Sequence, residues 1–293
     1  RGPRCPGRTC VPRLLARQFG EEEQREPRLY VLAFCAEADC VLSGWLRLEV
    51  DAPAHVEVAT YEWPGHGVRE KEPLLSTLDA LGADAFEAFR EAMSTGHFVV
   101  CGCSVGALLM AHVCERAQRE LGVAPRAAFA LDRGPPHLPV FTEYGLRLLL
   151  GRPSEWLALW NPGIHRLHRE GKIAEVSFRR WVTDMRLEND TRPVGWYHFP
   201  CRLSAIVALT TISEFPPPAA RHEGVDEEWA ERRGRCTRSG KGYSFEPEEY
   251  DLWRLWADDV WIYELPCEHE STQRDPAFQN ILWSEVNRVL DGA

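Results

Sequence analysis

The chain has 293 residues, enough for one large α/β domain with an inserted cap, and its 44% hydrophobic and 27% charged content is ordinary for a soluble globular protein. The net charge of −10 argues against a nucleic-acid partner, because gripping phosphates needs a basic face. The longest mostly apolar run, Phe98 to Val113, is interrupted by two glycines, a serine and His112, so no segment reads as a membrane span.

Residues 1–27 stand apart. Arg1, Arg4, Arg8, Arg13 and Arg17 occur among Pro and Gly, with no acidic residue before Glu21. This composition suits an organelle transit peptide, a disordered leader or a linker from a larger polypeptide, and the missing initiator Met suits an excised piece. Residues 28–293 read as one domain. Arg28 to Phe34 is a buried strand, and His55 to Tyr61 alternates as a second. Leu78, Leu81, Ala85, Phe89 and Met93 recur at helical spacing. Phe98 to Cys101 is a third strand, followed by a helical stretch from Ala107 to about Leu121, and Ala127 to Leu131 is a fourth strand. Strands alternating with helices imply a mostly parallel sheet with helices on its faces.

Between about 137 and 197 the pattern changes to two helix-like stretches dense in Leu and Trp, including Trp156 and Trp160. Two readings stay open for them, ordinary core helices or a helical lid over an apolar acyl channel. Cys201 to Thr210 is a late strand. Residues 216–244, rich in Pro, Glu and Arg, read as an exposed and partly disordered insertion. A helix over Glu248 to Trp256, a last strand over Val260 to Leu265 and a helix over Pro276 to Leu290 complete the chain.

The most specific chemistry lies at Gly102-Cys103-Ser104-Val105-Gly106, between a strand and a helix. In such a turn the serine is held on strained backbone at the carboxyl end of the sheet, with the N–H groups of the helix N-terminus aimed at it. The flanking glycines remove side chains that would clash. Ser104 is therefore the candidate nucleophile. Its neighbour Cys103 is the rival, but a valine two residues on suits that role badly, so Cys103 is expected to pack beside the turn. A serine hydroxyl needs a base. In folds of this type the order is Ser, acid, His, with the histidine after the last strand, which selects His269. The acid is expected just beyond Thr210, where Glu214 is the nearest carboxylate, with Asp226 as a weaker rival. The 10 cysteines contain no Cys-x-x-Cys pair, so no metal is expected, and most read as buried thiols in a reducing compartment.

Four stretches together resemble the type II thioesterases of polyketide and nonribosomal peptide synthesis and their relatives that release medium-chain fatty acids. They are Arg28-Leu29-Tyr30 with Gly44-Trp45, then Trp63-Pro64-Gly65-His66-Gly67-Val68-Arg69-Glu70, then Gly102 to Leu109, and finally Trp253 with Cys267-Glu268-His269. The Trp63 to Glu70 stretch, similar to the family's Leu-Pro-Gly-Arg-Gly-x-Arg, is the most specific. Coverage runs from about Arg28 to Leu290, leaving out 216–244.

The resemblance implies an α/β-hydrolase fold with a helical lid, and hydrolysis of acyl thioesters on the phosphopantetheine arm of an acyl or peptidyl carrier protein. It carries Ser104 and His269 over as nucleophile and base, with oxyanion donors at the backbone of Val105 and of Phe34 or Cys35. The chain departs from the family in three places. Ala33-Phe34-Cys35-Ala36-Glu37 lacks the glycines of the family's oxyanion loop, the family's Asp falls near Ser213, and Cys103 replaces a His. No cofactor is needed, and a monomer in the cytoplasm, a plastid or a mitochondrion is expected. Two alternatives are a carboxylester hydrolase and a weakened hydrolase fold kept as a carrier-protein binding module.

Overall fold

The computed structural model describes residues 28–35, 45, 48, 51–53, 55–210, 225–238 and 245–292. Within them runs a six-stranded, all-parallel sheet. The strands are β1 (Leu29–Phe34), β2 (Val56–Tyr61), β3 (Phe98–Cys103), β4 (Ala127–Leu131), β5 (Arg202–Thr210) and β6 (Val260–Glu268), in the order β2-β1-β3-β4-β5-β6. β3 and β4 are buried at every position. That is why they read as continuous apolar runs, since a parallel sheet covered by helices has no solvent face.

Helix α1 (Leu78–Ser94) is capped by Thr77, whose hydroxyl accepts from Ala80 N–H at 3.2 Å. It packs on α2 (Val105–Leu121), which follows β3 directly and ends on Gly122 in the left-handed region. Between β4 and β5 come four helices, α3 (Glu143–Gly151), α4 (Pro153–Trp160), α5 (Pro162–Arg169) and α6 (Glu175–Leu187). The two aromatic stretches of the sequence are therefore helical, as expected. Trp156 and Trp160 are buried, stacked at 5.3 Å between ring centroids, with Phe141 edge-on to both and Trp181 tilted against Trp156.

The charge-rich stretch differs from expectation. Residues 211–224 and 239–244 lie outside the described residues, but Val225–Cys236 between them is a helix, α7. Glu228–Arg232 and Glu231–Arg235 pair one turn apart along it. Its end is not an exposed surface: Arg233 and Cys236 are buried, and the Cys236 carbonyl accepts from Thr142 N–H at 3.1 Å. Asp226 falls in the first turn of α7. Helix α8 (Pro247–Asp251), a 3-10 turn over Leu252–Leu255 and α9 (Pro276–Leu290) complete the domain.

The turn from β3 into α2 is where sequence and structure are tied most tightly. Ser104 has φ 53°, a left-handed backbone that non-glycine residues rarely adopt. A Cβ on Gly102 would lie 2.4 Å from the Gly106 carbonyl oxygen, and one on Gly106 would lie 2.3 Å from the Phe34 carbonyl oxygen. Both obstacles are backbone and cannot rotate aside. Gly106→Ala should therefore lower unfolding stability by about 1–3 kcal/mol or more, the usual cost of forcing extra volume into a packed core. Denaturant titration checks this, and an unchanged midpoint would mean that the turn has room to spare.

Candidate active site

The carboxyl ends of β3, β4 and β6 lie along the same edge of the parallel sheet, and Ser104, Asp132 and His269 follow them. Ser104 follows β3. Asp132 follows β4, with φ 44° and its N–H donating to the Ile206 carbonyl at 2.7 Å. His269 follows β6 and opens a 3-10 turn over His269–Arg274. β6 runs three residues beyond the expected end at Leu265, so His269 is placed by the strand end and not by a loop.

His269 Nδ1 and Asp132 Oδ2 are 2.6 Å apart, both buried. This carboxylate is not the one expected. Glu214 lies outside the described residues, and the acid that meets the histidine is Asp132, one strand earlier. Asp132 is firmly set. Its Oδ1 accepts from Ala208 N–H at 3.0 Å and from the Tyr250 hydroxyl at 2.7 Å. Burial and this carboxylate push the Tyr250 hydroxyl well above its ordinary pKa, so Tyr250 stays a donor. Trp253, in the C-terminal stretch that carries the resemblance, donates from Nε1 to the Arg133 carbonyl at 2.9 Å and pins the residue after Asp132.

The Ser104 hydroxyl donates to a second carboxylate, Glu188 Oε1, at 2.8 Å. The Val105 N–H, the expected oxyanion donor, reaches the same oxygen at 3.1 Å. Glu188 is buried at the C-terminus of α6, and its Oε2 accepts from Arg133 Nε at 3.2 Å. At Phe34 and Cys35, the other expected oxyanion positions, it is the carbonyl oxygens that stand against Gly106. The loop that follows them lies outside the described residues. Cys103 is buried beside the turn, its Sγ 3.8 Å from Gln273 Oε1. Burial pushes the Cys101 and Cys114 thiols up, which keeps them protonated and unreactive.

The Trp63 to Glu70 stretch borders this site. Arg69 donates to Asp84 Oδ2 at 2.6 Å and to the Glu62 carbonyl at 3.0 Å, closing the loop on itself. Gly67 has φ 45°, a backbone that residues with a side chain rarely adopt, and a Cβ there would press on the Glu62 carboxylate at 2.3 Å. His66 Nε2 lies 3.0 Å from Asp184 Oδ2, both buried, which ties this loop to α6. Burial alone would lower the His66 pKa, but the Asp184 carboxylate outweighs it and raises the pKa above the ordinary value.

Comparison with known proteins bears directly on this arrangement. Residues 45–178 match the thioesterase domain family. This match takes in the Trp63 to Glu70 loop, the Ser104 turn and Asp132. Linear gramicidin dehydrogenase LgrE of Brevibacillus parabrevis is 30% identical over 114 residues, which cover 35% of this chain and 43% of that protein. The aligned part thus spans less than half the length of that relative. In fold, the chain is similar to the RedJ thioesterase from the prodiginine biosynthetic pathway in Streptomyces coelicolor, with a TM-score of 0.60 and 19% identity over 89% of this chain and 90% of that one. ClbQ from the colibactin NRPS/PKS pathway gives a TM-score of 0.66 at 11% identity, covering 90% of this chain and all of that one. BorB, a type II thioesterase from the borrelidin biosynthetic cluster, gives 0.61 at 15% identity, covering 91% and 95%. These similarities show the α/β-hydrolase fold of biosynthetic thioesterases, as the sequence resemblance implies.

Proposed function

We propose that this protein hydrolyses acyl thioesters borne on the phosphopantetheine arm of a carrier protein, with Ser104 as nucleophile, His269 as base and Asp132 as acid. The observation that carries the reading is the 2.6 Å contact between His269 Nδ1 and Asp132, at the same end of the parallel sheet as a serine held at positive φ. Asp132 on Nδ1 makes Nε2 the basic nitrogen of the ring. In the reaction the Ser104 hydroxyl turns from Glu188 to His269 Nε2. Its oxygen attacks the thioester carbonyl while the proton passes to the imidazole. The Val105 N–H stabilises the negative oxygen of the tetrahedral intermediate. Collapse expels the pantetheine sulfur, which takes the proton from His269. Water then adds to the acyl-serine through the same base and releases the carboxylic acid.

The assembled Asp132–His269 pair favours this reading over a weakened fold kept only for binding. Carrier-bound substrates follow from the resemblance to type II thioesterases. Matched substrates test the reaction class: the same acyl group as a pantetheine thioester and as an alkyl ester. Faster turnover of the thioester is expected, and turnover of the ester alone would make the protein a carboxylester hydrolase.

The Trp156–Trp160 stack is proposed to line the acyl end of the site. Trp160→Ala should then change the ratio of kcat/KM for long and short acyl thioesters. If the stack is only core, the change costs about 3–5 kcal/mol of stability and leaves the ratio alone. Melting and kinetics measured on the same protein separate the two.

A further inference from the structure

The mechanism above uses Ser104, His269, Asp132 and the Val105 N–H, and it leaves Glu188 unexplained. Glu188 Oε1 takes hydrogen bonds from both the nucleophile, at 2.8 Å, and the oxyanion donor, at 3.1 Å. It therefore stands where the carbonyl oxygen of a bound acyl group has to go. The helix that carries it is held from two sides. Asp184, one turn earlier on α6, is bonded to His66 at 3.0 Å, and the Glu188 carbonyl accepts from Arg133 Nη2 at 2.9 Å. With its backbone fixed, the side chain makes way by rotating, and its charge remains beside the reacting carbon.

The rest of the pair matters equally. Arg133 is fully buried next to the acid, and its guanidinium gives Nε to Glu188 Oε2, Nη1 to the Gly134 carbonyl and Nη2 to the Leu138 carbonyl. With the Nη2 bond to the Glu188 carbonyl, four of its five N–H donors go to protein groups, and the group bonded to Ser104 is the carboxylate of Glu188. Electrostatic interactions between charges a few ångströms apart in a site closed to water are large.

Building on the thioesterase reading, we propose that Glu188 is a specificity-determining residue. Its carboxylate competes for the oxyanion position and selects acyl groups with a positive charge close to the reacting carbonyl over those with a negative one. An ammonium on the acyl α-carbon sits two bonds from the reacting carbonyl carbon and pairs with the displaced carboxylate. An acyl group ending in its own carboxylate meets like charge there. A neutral acyl group falls between.

The test uses pantetheine thioesters of glycyl, acetyl and malonyl groups, with kcat/KM measured on wild-type protein and on Glu188→Gln. The wild type should take glycyl over malonyl by at least tenfold. Glu188→Gln keeps the shape but removes the charge, leaving the Arg133 cation uncompensated beside the nucleophile. The glycyl-to-malonyl ratio should then fall by at least tenfold, mainly because malonyl improves. Glu188→Asp, which keeps the charge, should stay on the wild-type side. A wild-type ratio near one overturns the proposal even if Glu188→Gln does not fold, and so does a folded Glu188→Gln with an unchanged ratio. Labelling with a neutral fluorophosphonate separates the two readings. Labelled Ser104 with unchanged ratios defeats only the role of Glu188, whereas no labelling and no hydrolysis of any of the three defeats the thioesterase reading and this one with it.

Discussion

Ser104→Ala should lower kcat for thioester hydrolysis by about six orders of magnitude, the typical loss when the serine of such a triad is removed. The fold should survive. The change exchanges one non-glycine residue for another at φ 53°, so it adds no backbone strain. It also leaves Glu188 bonded to the Val105 N–H and to Arg133. Cys103→Ala is the matching control. Cys103 is buried, with its thiol 3.8 Å from Gln273 Oε1, so its loss should cost about 1 kcal/mol of stability and little activity. Steady-state kinetics and melting on both variants check the pair. A dead Cys103→Ala beside an active Ser104→Ala would move the nucleophile one residue back.

Asp132→Asn should cost about four orders of magnitude in kcat. The asparagine oxygen still accepts from Ala208 N–H and the Tyr250 hydroxyl, so the strand end keeps its bonds. The amide nitrogen then faces His269 Nδ1 as a donor. The ring must answer with an acceptor at Nδ1, which moves its proton to Nε2 and leaves no base facing Ser104. The effect is therefore a wrong tautomer and not a broken fold, and melting should move far less than kcat. Glu214→Gln and Asp226→Asn should both be nearly silent. If Asp132→Asn stays within tenfold of wild type while Glu214→Gln collapses, the acid belongs after β5 and the contact between Asp132 and His269 is structural only.

The contrast between Glu214 and Asp132 shows where the sequence was readable. The buried strands were legible because a covered parallel sheet needs apolar residues at nearly every position. The serine turn was legible because only glycine fits at positions 102 and 106 against backbone. Asp132 is passed over when the acid is sought after β5, although it keeps the same order of Ser, carboxylate and His one strand earlier. Asp132 stands immediately after a buried strand, at the carboxyl end of a parallel sheet, where functional groups gather, and that signal was present in Ala127 to Asp132.

The sequence places the end of β6 three residues too early for a different reason. It is an edge strand with exposed residues such as Trp261 and Glu264 among buried ones, so the apolar run breaks before the strand does. Helix α7 was hidden by its charge, although its Glu–Arg pairs four residues apart were a helical signal. Glu188 had no signal at all. Its contacts with Ser104, Val105 and Arg133 span 84, 83 and 55 residues of sequence, and only the closing of α6 over the sheet creates them.

We propose that this chain cleaves an acyl group from a carrier-bound thioester through Ser104. Intact-mass measurement of an acyl-phosphopantetheinyl carrier protein, incubated with wild-type protein and separately with Ser104→Ala, tests it most directly. Wild-type protein should return the carrier to its free-thiol mass and release the carboxylic acid, while Ser104→Ala should leave the acyl carrier intact. A carrier that keeps its acyl group in the presence of wild-type protein, or that loses it equally fast with Ser104→Ala, would rule out hydrolysis through Ser104.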